Sequence, residues 1–393
     1  DVSDRRASRI ELRASDAVAG GVRFDDVNLR LAGLARQHGL DLEIVSPGSP
    51  HRKLAPFRGR ATIAGAYDAA HHLWRGTLNE TRVVFDDGEA KLLQPAAIEL
   101  SPELTRLAPL CIAAAESRLC IEGEHHAQPL AWRVIYSAQD WPLRRLLRTL
   151  LGWQEFDGNL QASGWAERTP GQDWTGGTTV ILDHPVLDVP RNKFRTERIE
   201  LGGGRIDFYA EPTQIRASVA LDVVDGTKIA GEALADRKPG ADLLDSPLHG
   251  TLRGESAALS FLPLLVPEID RSTGKLDGDL TLSGTLGAPQ FIGTFRVRDG
   301  RFDFYRTNFS LTKVELGGNF IGDELTFVGR GETSKGPVEL DGRFNWPDGV
   351  MTGAMHLKGE NLLVADTPEY KVIASPNLTL RAGSEGYDVE GEI

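Results

Sequence analysis

The sequence predicts an all-β fold of many short strands, and three features predict it. Apolar and polar residues alternate along most of the chain. Glycine is abundant, at 43 of 393 residues, while methionine occurs only twice. A short phrase with glycine at both ends and two apolar residues between recurs. Alternation is the mark of a strand with one apolar face, and frequent glycine marks the turns and close approaches between strands.

The alternation is loose at first. Ile10 and Leu12, Leu29 and Leu31, and Leu40, Leu42 and Ile44 lie two apart. Val180 and Leu182 repeat the pattern, as do Val219, Leu221 and Val223. Further on it is strict. Leu276, Leu280, Leu282 and Leu286 share one parity. Phe291, Phe295 and Val297 follow, then Phe302 and Phe304, Phe309 and Leu311, and Leu325 and Phe327. Val338, Leu340, Phe344 and Trp346, then Met355 and Leu357, Tyr370 and Val372, and Leu378 and Leu380 complete the run. A period of two puts each set on one side of its strand and leaves Ser, Thr, Asp, Arg and Lys on the other.

The glycine phrase appears as Gly59 to Gly65, Gly158 to Gly164, Gly278 to Gly284, Gly336 to Gly342 and Gly353 to Gly359. Its spacing is irregular, so no fixed-period solenoid is expected. The two glycines share parity with the apolar pair and face the same side. They are read as bends at both margins of the apolar face, which would make a trough, or as plain strand-ending turns.

Helices are few. Asp140 to Gly152 has Leu143, Leu146, Leu147, Leu150 and Leu151 on one face and Arg144, Arg145 and Arg148 opposite. Pro142 suits a first turn and Gly152 a stop. Such a stripe docks on a sheet or lies on a membrane. Ala257 to Val266 is a second short candidate, broken by Pro263. The expected organisation is a sheet over 1–140, a short amphipathic helix over 141–153, and a longer sheet over 154–393. The start at Asp1 and the end within 387–393 read as cuts in something longer.

Composition excludes several functions. A net charge of −12 opposes nucleic acid as a partner, because phosphate binding needs a basic field. No apolar run reaches the roughly eighteen residues of a membrane helix. Cys111 and Cys120 flank eight residues that suit a hairpin. A disulfide, two free buried thiols, or a metal site with His125 and His126 are the alternatives, although zinc spacing is not met. The adjacent pairs His71 with His72 and His125 with His126 point to opposite faces of a strand and lie outside any His-Glu-x-x-His phrase. No nucleophile elbow, phosphate-binding loop or calcium loop occurs. Gly202 to Gly204 reads as a turn, and Asp86-Asp87-Gly88 as a hairpin turn. The sequence therefore predicts no catalysis and no metal.

An apolar sheet face must be buried. The helices are too few to cover it. A sheet packed on itself and an open trough around something apolar both satisfy the pattern, and the residues alone leave both open.

Particular phrases carry a family resemblance. Phe261 to Ile269, Gly274 to Pro289, Gly293 to Gly300, Gly359 to Val372 and Ser375 to Leu380 are similar to the TamB family of the translocation and assembly module. This makes 250–393 the most specific stretch. Upstream the likeness is thinner, resting on Trp74 to Leu78, Leu93 to Leu100 and the Cys111 and Cys120 pair. The resemblance implies an elongated U-shaped β-taco, a curled antiparallel or parallel sheet with an apolar lumen and a few short helices. It also implies a Gram-negative envelope protein related to AsmA-like and bridge-like lipid-transfer proteins. Such a protein sits in the periplasm, anchored in the inner membrane by a helix outside this chain. The implied function is carriage of phospholipids between the two membranes. The alternative is a chaperone or scaffold for outer-membrane proteins and autotransporters, acting with TamA. The implied partners are phospholipid acyl chains and a TamA-like outer-membrane barrel, and no cofactor is implied. On this reading Leu280, Leu282, Phe295, Val297, Phe302, Phe304, Phe309, Leu311, Phe327, Val338, Leu340, Met355 and Leu357 line the lipid groove.

Overall fold

The structure, a computed structural model, describes residues 7–19, 22–48, 55–85, 88–144, 156–192, 195–223, 226–238, 240, 242–259, 269–304, 308–345, 352–367, 370–383 and 386–393. It is almost entirely strand, and the chain divides into two compact units. The first comprises Asp1–Asp183 with Tyr209–Pro212, the second His184–Phe208 with Thr213–Ile393.

In the first unit, Ser8–Ala19, Val22–Leu34, Gln37–Ser46, Phe57–Asp68 and Leu73–Phe85 form a meander in which each strand pairs with the next. Leu73–Phe85 then divides its free edge between Gly88–Leu92 and Ala96–Leu100. Leu104–Ala114 pairs with both of those short strands. Ser117–His126, Ala131–Pro142 and Phe156–Arg168 follow in order.

The second unit is a longer meander. Gln214–Asp222, Lys228–Asp236, Leu248–Ser256, Ile269–Thr285 and Ala288–Phe304 pair in sequence. Phe309–Ile321, Glu324–Glu332, Pro337–Asn345 and Thr352–Gly359 continue it. Thr352–Gly359 then pairs with Asn377–Gly383, and that strand with Gly386–Glu392. The intervening chain leaves the sheet as a separate hairpin, Leu362–Asp366 with Lys371–Ala374. Each of these pairings is antiparallel, as the short connections between successive strands require. The all-β class read from alternation is thus what the chain adopts, with antiparallel pairing throughout these registers.

The helix expected over Asp140 to Gly152 does not begin at Asp140. Trp141 and Pro142 pair with Leu160 and Asn159, so the strand Ala131–Pro142 takes up the first three residues. Extended pairing wins there because Trp141 favours a strand and Pro142 ends one without a needed N–H. Leu143 and Arg144 are helical, and 145–155 lie outside the described residues. Of the second candidate, Ala257 to Leu259 is irregular and the rest lies outside them.

Candidate functional site: an apolar sheet face

The second unit presents one apolar face across all eleven of its meander strands. Register makes this explicit. Leu252 pairs with Leu280, Gly278 with Phe295 and Val297 with Leu316. Phe327 pairs with Gly342, Leu340 with Leu357 and Met355 with Leu380. All thirteen residues read from the sequence as groove lining fall on this face.

The alternation survives two bulges that would otherwise reverse it. Asp299 and Lys313 adopt left-handed backbone, at φ 53° and 49°. Register shifts there, between Val297 and Gly300 and between Thr312 and Glu315. Each bulge inserts a residue, so Val297 and Gly300, and Leu311 and Val314, stay on the same side. Gly274 on the neighbouring strand has φ 136°, and a Cβ there would stand 2.9 Å from Gly300 Cα. The three irregularities lie side by side and crease the sheet. Beyond the crease, the Phe304 and Phe309 rings stack with centroids 4.6 Å apart.

Among the described residues, most of this face is only partly covered. Of the thirteen, Val297 and Val338 are buried and the other eleven are half-buried. Among the described residues Leu259 is the only large side chain that is fully buried. A filled sandwich buries its large inward side chains completely and interdigitates them. Closed parts lie at the crease, at the hairpin beside it, and at the cross-strand row Ile215, Ala235 and Leu248, all buried. In the hairpin Leu362, Leu363 and Ala365 are buried, and the Leu363 N–H donates to Thr333 Oγ1 at 3.1 Å.

The large side chains lie down rather than stand up. The Phe295 ring covers Gly318, where a Cβ would overlap it, and the Phe327 ring covers Gly342 at 2.5 Å from the same notional atom. Leu280 covers Gly293 and Leu252 covers Gly231 in the same way, at 2.7 and 2.8 Å. Each apolar residue is thus laid across the glycine of a neighbouring strand. The result is a paved surface with few projecting knobs. Glycines of the recurring phrase serve partly as this floor, as at Gly342, and partly as bends, as at Gly353 with φ 140°.

The first unit has a face of the same kind. Leu29, Leu42, Ala61 and Ile63 share a side, as register requires. Trp74 lies over Gly65, 2.5 Å from a Cβ placed there. Its Nε1–H donates to His38 Nε2 at 2.8 Å, while His38 Nδ1 lies 3.0 Å from the Ala35 carbonyl oxygen. This anchored aromatic was not read as a site residue, although the phrase Trp74 to Leu78 was among those carrying the family resemblance.

The opposite faces are polar and laced with cross-strand ion pairs. Arg75 and Arg106 both reach Glu99, at 2.8 and 3.2 Å, and hold its carboxyl below the usual glutamate range. In the second unit Arg253 meets Asp279 at 2.8 Å and Arg330 meets Glu315 at 2.5 Å, and Arg298 pairs with Asp277. Cys111 and Cys120 are direct partners across their hairpin, joined by a disulfide, and fall on this polar side. His71 bonds Asp68 at 2.7 Å, and His72 contacts Tyr67. Among the described residues, no three His, Cys, Asp or Glu side chains are placed to hold a metal, and no helix is long and apolar enough to cross a membrane.

The family profile described as the TamB N-terminal domain matches residues 1–297. Its reach includes the upstream stretch where the sequence phrases were thinner. The translocation and assembly module subunit TamB of Haemophilus influenzae is 21% identical over 387 residues, 95% of this chain and 29% of that protein. The chain therefore spans less than a third of that relative. No solved structure matches. With three quarters of its length under the family profile, the chain belongs to the TamB family.

Proposed function

We propose that the chain is part of a periplasmic conduit that carries phospholipids between the inner and outer membranes of a Gram-negative bacterium. The acyl chains lie on the apolar face and the headgroups project to water. The observation that carries this reading is the paved, half-exposed face of the second unit. Its side chains are too uncovered for a protein core and too continuous for an ordinary surface, where apolar patches are small. Burial stabilises apolar area by about 25 cal/mol per Å², so each tail laid on the face gains several kcal/mol. Similar lining from strand to strand keeps the gain nearly level, and a tail moves along with small barriers.

The polar faces are consistent with an aqueous surrounding. The disulfide between Cys111 and Cys120 suits an oxidising compartment. The reading assigns no catalytic residue and no cofactor. It places the anchor and the contact with a TamA-like barrel elsewhere in the full-length protein. The relative's name, a translocation and assembly module subunit, also suits an assembly role for outer-membrane proteins, in which a strand peptide would occupy the groove or a sheet edge.

The test is lipid transfer between donor and acceptor vesicles by the full-length parent protein carrying Leu340→Arg or Phe304→Asp. The conduit reading expects loss of transfer with the sheet intact by circular dichroism. Unchanged transfer by both variants would contradict it.

A further inference from the structure

From the groove reading above, on which it rests, we infer that the face contains one built seat for a single acyl chain, over the glycine pair Gly254 and Gly278. Elsewhere a Cβ on a floor glycine would meet a neighbour's side chain or backbone closely, as at Gly293, Gly318, Gly342 and Gly353. These two are bare. A Cβ on Gly254 would have nothing within 4 Å, and one on Gly278 only ordinary contacts, the nearest at 3.6 Å. They are direct cross-strand partners, so the gap is two strands wide. Ile229 pairs with Gly254 on one side, and Phe295 with Gly278 on the other.

The gap opens a hollow of about 160 Å³ that Leu252 and Leu280 flank. The same two leucines border a second hollow of about 200 Å³, reaching Val219 and Phe291. All side chains on the inward parity around both are hydrocarbon or absent. The two hollows share a pair of leucines, and their linings together run across six neighbouring strands, from Val219 to Phe320. That shape suits an unbranched alkyl chain rather than a compact ring, and the lining offers a headgroup no partner. A tail sliding on the paved face gains contact on more sides here and pauses.

The geometry provides its own test, because the seat can be filled without disturbing the fold. Gly254→Val adds a β-branched side chain, favoured in strands, into open space, and Gly278→Ala adds one methyl group. Thr281→Val, on the outward parity, is the control. The probe is cis-parinaric acid, a single-tailed fatty acid whose fluorescence rises in apolar surroundings, titrated into the 393-residue chain. Gly254→Val is expected to weaken binding about tenfold, the effect of taking roughly two methylenes out of apolar contact. Gly278→Ala weakens it less, and neither lowers the thermal midpoint. Equal binding by wild type and both glycine variants overturns the seat and leaves the groove standing. No binding by wild type overturns both. Unfolding of Gly254→Val would show that the space above Gly254 is not open, which also overturns the seat.

Discussion

Gly318 shows how a single residue shapes the face. Its missing side chain is the place where the Phe295 ring lies, with the Thr326 carbonyl oxygen 2.8 Å from a notional Cβ. Gly318→Val must therefore lift the ring or move the strand, and overpacking of this kind costs about 1–3 kcal/mol. Urea unfolding measures it, and adding Phe295→Leu is expected to restore part of the loss. A double variant no more stable than Gly318→Val alone would mean that the ring is not what the glycine accommodates. That the thirteen residues share one sheet face was legible because a period of two fixes the face of every residue once register is set. The bulges at Asp299 and Lys313 were not, since Asp tolerates a positive φ but is common in other conformations, and Lys rarely adopts one. Leu252 and Gly254 were missed because their strand, Leu248–Ser256, has only one large apolar residue between its glycines.

At the scale of elements, two devices hold the first unit's hairpins. The Cys111–Cys120 bond closes a short loop, with a sequence separation of 9. Chain-entropy reasoning assigns a loop of that length about 2–3 kcal/mol. Replacing both cysteines by serine is expected to lower the urea midpoint accordingly, with no further fall on adding reductant. Arg75, Glu99 and Arg106 tie three strands in a row, Leu73–Phe85, Ala96–Leu100 and Leu104–Ala114. The depressed pKa of Glu99 means its contribution is fully present above the ordinary glutamate value, about 4.3, and is lost as pH falls through the lower folded value. Glu99→Gln should flatten the fall in stability between about pH 5 and pH 3. An unchanged slope in that window would place the acid sensitivity elsewhere. At Asp140 the expected helix start was displaced: Trp141 and Pro142 found partners on Phe156–Arg168, and long-range pairing overrode the local start signal.

For the whole molecule, the sequence pattern stated the problem and left its solution open. Alternation demanded that an apolar face be covered, and a filled sandwich and an open trough share that alternation. What separates them is how far each side chain is buried and how it lies. Both depend on partners across strands that a one-dimensional pattern does not name. The acidic balance of −12 keeps both polar faces hydrated and offers no field to draw in anionic headgroups. On the proposed reading lipid is held by its tails, and retention is expected to be nearly independent of salt.

Native mass spectrometry with lipid extraction on the purified chain tests the central claim most directly. The account predicts phospholipid bound to the wild type, lost in Leu340→Arg and retained in a substitution on the polar side such as Arg330→Ala. A wild-type chain that carries no lipid, with its apolar face protected by its own packing or by a bound polypeptide strand, would contradict it.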